Sequence, residues 1–278
     1  IIVNLRLPRA VLGAALGATL GLSGAVTQGY LRNPLADPSL VGISSCGALG
    51  AVAAIALGLN APPLIFSAAL AGAMGATALL LALSRINASP VSFILGGMVL
   101  SALAGALVSL IISLSPNPFA IAEIMNWLMG ALTDRGWNDV MLAVPLMACG
   151  CGLLVLTARG LDVLALGAET AQTLGLNLRR LQLLIIIGLG LGVGAGVAVT
   201  GVVGFVGLIV PHVMRGVFGA RPGALLLPSA LGGAALVLAA DALVRLTPGA
   251  GEVRLGVAMA LLGAPFFFAL LRGREHFA

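Results

Sequence analysis

GVVGFVGLIVPHVMR, residues 201–215, is apolar enough over most of its length to sit in lipid. Yet it carries three glycines, a proline, a histidine and a terminal arginine. Glycine and proline at membrane depth leave backbone groups that neighbouring protein must satisfy. A histidine there faces protein or water, because ionisable side chains in such segments are rare and mostly functional. The stretch therefore reads as a short, kinked span enclosed by other helices, running from an outer turn to Arg215 on the inner side.

The composition around it agrees. The chain of 278 residues is 60% hydrophobic and 8% charged, with a mean hydropathy of +1.16, whereas soluble domains are about 25% charged. No alternating ten-residue strand pattern occurs, which excludes a β-barrel. Long runs of Ala, Gly and Leu read instead as packed membrane helices, so the fold class is an all-α polytopic bundle in a lipid bilayer. All fourteen basic residues are arginine. Without lysine the chain lacks the phosphate-binding group of a P-loop and is not such an ATPase by itself, so any ATP hydrolysis that drives it belongs to a separate subunit. Cys46, Cys149 and Cys151 sit in apolar runs, and only His212 and His276 are histidines. That set lacks metal-site spacing and reads as small apolar filling, with no cofactor and no metal site. The isoelectric point of 10.4 comes from arginines placed singly between apolar runs, a mark of membrane topology rather than of nucleic-acid binding.

A span takes about 20 apolar residues. Nine are read, at 10–30, 40–59, 62–84, 91–114, 138–158, 181–203, 205–219, 224–245 and 254–272. Within the connection 115–137, FAIAEIMNWLMGAL predicts a short helix at the interface, with Trp127 and Trp137 at headgroup level. One set of connections collects nine arginines: Arg32, Arg85, Arg159, Arg179, Arg180, Arg215, Arg221, Arg272 and Arg274. The other holds five, Arg6, Arg9, Arg135, Arg245 and Arg254. The excess places the first set and the C-terminus in the cytoplasm. The opening IIVNLRLPR then lies outside and reads as the tail of an earlier span.

Gly13, Gly17 and Gly21 recur on one helix face and permit close backbone approach. Gly188, Gly190, Gly192, Gly194 and Gly196 alternate, which spreads them over several faces. Gly190-x-Gly192-x-x-Ala195 mimics a dinucleotide fingerprint but lies inside a span with no strand before it, so it is discarded. Two polar regions remain. The inner connection RGLDVLALGAETAQTLGLNLRR (159–180) predicts a helix over 163–174 stopped by Gly175. It fits either a solvated connector or an element on which a cytoplasmic partner pushes. The outer arginines fit either interface anchors or a positive surface for an acidic partner. Asp241 stands one turn before Arg245, at pairing distance.

The segments LRLPR (5–9), SGAVTQGYLRNPLADPSLVGISS (23–45), LGAETAQTLG (166–175), GFVGLIVPHVMR (204–215), ADALVR (240–245) and GAPFFFALL (263–271) occur in that order. Together they resemble the FecCD-type permease subunits of bacterial ABC importers for iron–siderophores, haem and vitamin B12, from the first residue to about Arg272. The resemblance implies a single permease domain over 1–278 with the type II ABC importer fold. Members have ten helices, so the first would be missing here. It also implies a multi-pass protein of the bacterial inner membrane that works with a second copy of itself, two cytoplasmic ABC ATPase subunits and a periplasmic substrate-binding protein.

By the same resemblance, Leu166, Gly167, Glu169, Thr170, Ala171, Leu174 and Gly175, within a segment of about 160–180, form the coupling element that fits a cleft in the ATPase. Arg6, Arg9 and Arg245 meet acidic residues of the binding protein, and Arg254, where the family has proline, adds to them. The span 91–114 lines the path between two copies, with Ser92, Met98, Ser101, Gly105 and Ser109 as its weakly polar wall. His212 recurs across substrates that need no ligand from it, so its role is structural, bonding backbone freed around Pro211. Ala168 replaces one of two adjacent acids usual in the coupling segment, ARPGALLLP (220–228) lacks the family's Asp-His-Arg, and Val202 replaces a common proline. The substrate is then a metal chelate, iron–siderophore or haem, or cobalamin. An ion-coupled secondary transporter is the alternative, and predicts paired intramembrane carboxylates.

Overall fold

A computed structural model of the chain describes residues 2–86, 89–246 and 253–273, without the side chains of 86 and 269–273. Arg274, His276, Glu252 and the Arg272 side chain lie outside that description. Among the described residues there is no strand. Twelve α-helices follow one another: α1 (Leu7–Leu31), α2 (Ile43–Ala56), α3 (Pro62–Ile86), α4 (Pro90–Leu114), α5 (Pro118–Leu128), α6 (Trp137–Val155), α7 (Ala158–Leu164), α8 (Ala168–Thr173), α9 (Leu178–Thr200), α10 (Val206–Phe218), α11 (Pro222–Arg245) and α12 (Leu255–Gly273).

Each of the nine expected spans is a helix, but not all are full-length. Six helices among the described residues are long and apolar enough to cross a bilayer, and three apolar ones are shorter: Ile43–Ala56, Val206–Phe218 and Leu255–Phe268. At 1.5 Å per residue, the 14 residues of α2 rise about 21 Å, short of the roughly 30 Å hydrocarbon core. The chain between α1 and α2 explains the shortfall. Asp37 accepts the Ser39 N–H and starts a 3₁₀ turn over Pro38–Val41, which ends at Gly42 with φ 81°. Before α10, residues 201–204 are irregular and Phe205 adopts a left-handed conformation with φ 66°. Irregular backbone at this depth has protein around it: the Thr200 carbonyl accepts from Ala131 N–H at 2.7 Å, and the Gly130 carbonyl accepts from Gly256 N–H at 3.2 Å. Gly201 takes φ 74°, and a Cβ there would strike the Trp127 carbonyl. Only glycine meets both demands.

The predicted interface helix is α5, with its N-terminus capped by the Asn117 side chain on Phe119 N–H. Trp127 packs on the buried core rather than standing at a lipid surface. Trp137 donates its ring N–H to the Val3 carbonyl at 3.0 Å.

Helix α9 is the most enclosed of the long helices, and its alternating glycines divide among three neighbours. Gly188 faces Leu154 of α6, Gly190 and Gly194 face Thr77 and Ala73 of α3, and Gly192 and Gly196 face Thr19 and Leu16 of α1. A second close approach joins α1 to α11. A Cβ on Gly17 would collide with the Gly233 carbonyl, one on Gly233 with the Gly17 carbonyl, and one on Gly21 with the Ser229 carbonyl. In lipid, apolar side chains gain little by leaving the solvent, so backbone proximity of this kind is what holds helices together.

Replacing Gly17 by Leu therefore costs about 1–3 kcal/mol or more by overpacking. Gly75→Leu, at a position open on that side, is close to neutral. Thermal unfolding of the two variants in detergent checks the contrast.

Candidate functional site

The helix ends divide the polar residues between two poles. At one, the five arginines of the outer set gather around two adjoining hollows. The first, of about 440 Å³, is lined by Arg6, Arg9, Arg135 and Arg245 with Thr133 and Asp134. The second, of about 180 Å³, shares Thr133 and Arg135 and adds Arg254, Glu123 and Asn126. The four predicted docking arginines thus lie on one face, brought together from the start of α1, the end of α11 and the approach to α12. Arg135, at the centre, was among the outer arginines but not among the docking candidates. Burial pushes its guanidinium down from the ordinary value, against the nearby charges of Asp139 and Asp134. The Asp139 carboxylate stands 3.7 Å away.

These arginines are not equally available. Asp241, 2% exposed, binds the Arg9 guanidinium through both oxygens, with Nη2 at 2.8 Å and Nε at 3.0 and 3.1 Å. The expected i,i+4 pair is present too, with Arg245 Nη2 3.1 Å from Asp241 Oδ2. Arg245 Nε also donates to the Asp241 carbonyl at 3.3 Å. Arg9 keeps 13% of its side chain exposed and Arg245 35%. Arg6 is exposed, and Arg254 donates to Asn126 Oδ1 at 3.3 Å. Arg9 has a double position: it bonds the buried carboxylate, and it lines the outer hollow. The sequence paired Asp241 with its helical neighbour. Its bidentate partner lies 232 residues away and leaves no local trace.

At the inner pole, the predicted single helix over 163–174 is two helices, α7 and α8. Gly167, with φ 111°, breaks the helical path between them. Gly175 does act as the stop, with φ 86° and its N–H on the Gln172 carbonyl at 2.9 Å. Leu166, Glu169, Thr170, Leu174 and Gly175 are exposed, and Gly167 is half-buried. Ala171 is fully buried and anchors α8 to the body of the protein. Asp162 of α7 accepts from Gly223 N–H at 2.7 Å and from Arg221 Nε at 2.8 Å.

Within the span around Pro211, a residue that the sequence did not single out serves the freed backbone. A proline leaves the carbonyl four residues before it without its helical donor, which here is Gly207. Gln28 of α1, buried, donates from Nε2 to the Gly207 and Leu208 carbonyls at 3.3 and 3.4 Å. Its own oxygen accepts from Arg215 Nη2 at 2.9 Å. His212 packs edge-on against the Phe266 ring, with centroids 6.0 Å apart, and lines an inner hollow of about 410 Å³ with Gln28, Arg32 and Arg215.

Helix α4 turns most of its surface outward. Met98, Gly105 and Ser109 are exposed and Ser101 is half-buried, all on one stripe by helical spacing. Ser109 returns its hydroxyl to the Gly105 carbonyl at 3.0 Å, so little polarity is left on that wall. Ser92 is not with them. It lies in an apolar cleft against Leu79 and Leu83 of α3, and its hydroxyl accepts from Ser89 at 3.0 Å.

Residues 1–273 match the FecCD transport family. The chain belongs to that family. It is 43% identical to the cobalamin import system permease protein BtuC of Halobacterium salinarum, over 99% of this chain and 74% of the relative. It is 38% identical to the hemin transport system permease protein HmuU of Yersinia pestis, over 99% and 84%, and 36% identical to the Fe(3+) dicitrate permease FecD of Escherichia coli, over 98% and 85%. A solved metal-chelate type ABC transporter in an inward-facing conformation superposes with a TM-score of 0.92 at 33% identity, over 98% of this chain and 87% of that one. PsaBC from Streptococcus pneumoniae, at 17% identity and a TM-score of 0.57 over 94% and 89%, shares the fold alone. The FecCD-type resemblance and the ABC importer permease fold are both borne out, and the chain is a multi-pass membrane protein.

Truncating Asp241 to Ala leaves two arginines facing each other at a half-buried helix end. The loss is about 3–5 kcal/mol. The double change of Asp241 and Arg9 to Leu loses less than Asp241→Leu and Arg9→Leu summed, as thermal unfolding of these three variants in detergent measures.

Proposed function

We propose that this chain is the membrane-spanning subunit of an ATP-driven ABC importer. It carries a metal chelate, iron–siderophore or haem, or cobalamin from a periplasmic binding protein into the cytoplasm. The observation that carries the reading is family membership along residues 1–273, in a chain whose two poles hold the two kinds of surface such a subunit needs. The permease makes and breaks no covalent bond. Two copies face each other across a path to which α4 contributes, two cytoplasmic ATPases close on ATP, and the path opens alternately to each side. The protein sits in the inner membrane with its C-terminus in the cytoplasm.

The named residues divide by role. Leu166, Glu169, Thr170 and Leu174 present the coupling surface to the ATPase, shaped by the breaks at Gly167 and Gly175 and held by Ala171. Arg6 and Arg254 are the docking cations with side chains to spare, joined by the exposed parts of Arg9 and Arg245. Met98, Ser101, Gly105 and Ser109 form a wall to which a bulky chelate does not stick, while Ser92 helps to set α4 against α3. Ion coupling receives little support. Asp241 is buried, and two arginines neutralise it.

Reconstitution into proteoliposomes with the ATPase and binding protein gives substrate uptake that requires ATP. Uptake driven by an ion gradient, with no ATPase present, overturns the proposal. Arg6→Glu with Arg254→Glu weakens binding-protein association in a pull-down by about tenfold or more, about 1.4 kcal/mol, without lowering thermal stability. Reversing Arg9 instead sets a carboxylate against Asp241 and destabilises the fold, so Arg9 is the wrong residue for a docking test.

A further inference from the structure

The coupling segment is fastened to the rest of the protein at one point that the sequence does not announce. Asp162, on α7, is 17% exposed in its side chain. One of its oxygens takes the Gly223 N–H at 2.7 Å, in the first turn of α11, where backbone donors have no helical partner. The other takes Arg221 Nε at 2.8 Å. The arginine is 74% exposed, so its pairing adds little, and the backbone bond is the firmer of the two. Contact is tight on the other side as well. A Cβ on Gly223 would lie 2.7 Å from Asp162 Oδ2 and 2.8 Å from the Ala158 carbonyl.

What lies beyond this joint gives it meaning. Helix α11 has 24 residues, about 36 Å of rise, enough to reach the opposite pole. After Pro228 it is fused to α1 through the backbone approaches of Ser229 to Gly21 and Gly233 to Gly17. At its far end Asp241 grips Arg9 of α1, and Arg245 faces the outer hollow. Helices α1 and α11 are thus tied at the middle and at the outer end, and α7 is tied to their inner end by Asp162.

We propose that Asp162 is a positioning residue of the transport cycle. Its bond to the α11 N-terminus carries movement of the coupling segment into the α1–α11 pair, and through that pair to the arginines at the outer pole. The proposal rests on the reading that an ATPase pushes on α7 and α8. It predicts a specific failure: a broken joint leaves ATP hydrolysis running while transport per ATP falls.

The test uses the full complex of permease, ATPase and binding protein in proteoliposomes. It reads basal ATP hydrolysis, its stimulation by loaded binding protein, uptake, and thermal stability. Asp162→Ala removes the acceptor, and Gly223→Val leaves Asp162 in place but drives a side chain against its carboxylate and the Ala158 carbonyl, prying α7 from α11. Both are expected to keep basal hydrolysis and to lower uptake per ATP hydrolysed by about tenfold or more, a typical size for coupling between sites. Arg221→Ala keeps the backbone bond and stays within about twofold of the wild type. A merely structural Asp162 would lower melting temperature, hydrolysis and uptake together, with the ratio of uptake to hydrolysis unchanged. That outcome, or full coupling in both variants, overturns the proposal. If the wild-type complex itself shows no ATP-driven uptake, the importer reading fails first and the joint with it.

Discussion

The architecture depends on helices α1 and α11 meeting backbone to backbone. Gly17 and Gly233 oppose each other so closely that neither tolerates a methyl group, and Gly21 lies on the Ser229 carbonyl in the same way. Lipid is as apolar as leucine, so burial alone does not choose which helices pair. Van der Waals contact between glycine-lined surfaces does, because it brings backbones nearer than any side chain would allow. Within that pair, α1 supplies one side of the central helix α9, whose glycines receive side chains from α1, α3 and α6 in turn. Arg6, Arg9 and Arg245 at one pole, and α7 at the other through Asp162, are mounted on it.

Among the polar groups inside this bundle, Gln28 and Asp241 have definite partners. Pro211 stands inside α10, and Gln28 answers the carbonyl that the proline leaves open, with Arg215 holding the other end of the same amide. The chain of bonds from Gly207 through Gln28 to Arg215 links α1 to α10 in the part of the motif that is most specific to the family. His212, the most conspicuous residue of the motif, packs on Phe266. Asp241 serves similarly at the outer end, as a carboxylate excluded from water and held by two cations from different helices.

Much of the site was legible because it is written in short segments. The run 163–175 announced an inner polar element, and Gly175 stopped it as its position implied. The second break at Gly167 was missed because a lone glycine in a short polar run does not reveal that it takes φ 111°. The outer arginines were assigned to one side by counting. Their convergence around two hollows, with Arg135 in the middle, depends on loops that are distant in sequence. Asp162 looked like one more solvated charge in a connector, because its partner Gly223 is 61 residues away and contributes only a backbone N–H. No reading of residue types detects a backbone donor.

The amino-acid sequence by itself determined that this is a helical membrane protein, where nine apolar helices lie among the described residues, that Arg6, Arg9, Arg135, Arg245 and Arg254 belong together, and which family the chain belongs to. Hydropathy, arginine placement and contiguous motifs are local quantities, and lipid leaves the backbone little choice but helix. Tertiary structure alone decided that three of those helices are short, that Gln28 serves the backbone freed by Pro211, that Arg9 binds Asp241, and that Asp162 ties α7 to α11. Those outcomes depend on which helices are neighbours and at what depth. The pairing is set by close packing between glycine surfaces, a property of two chain segments together that neither carries alone.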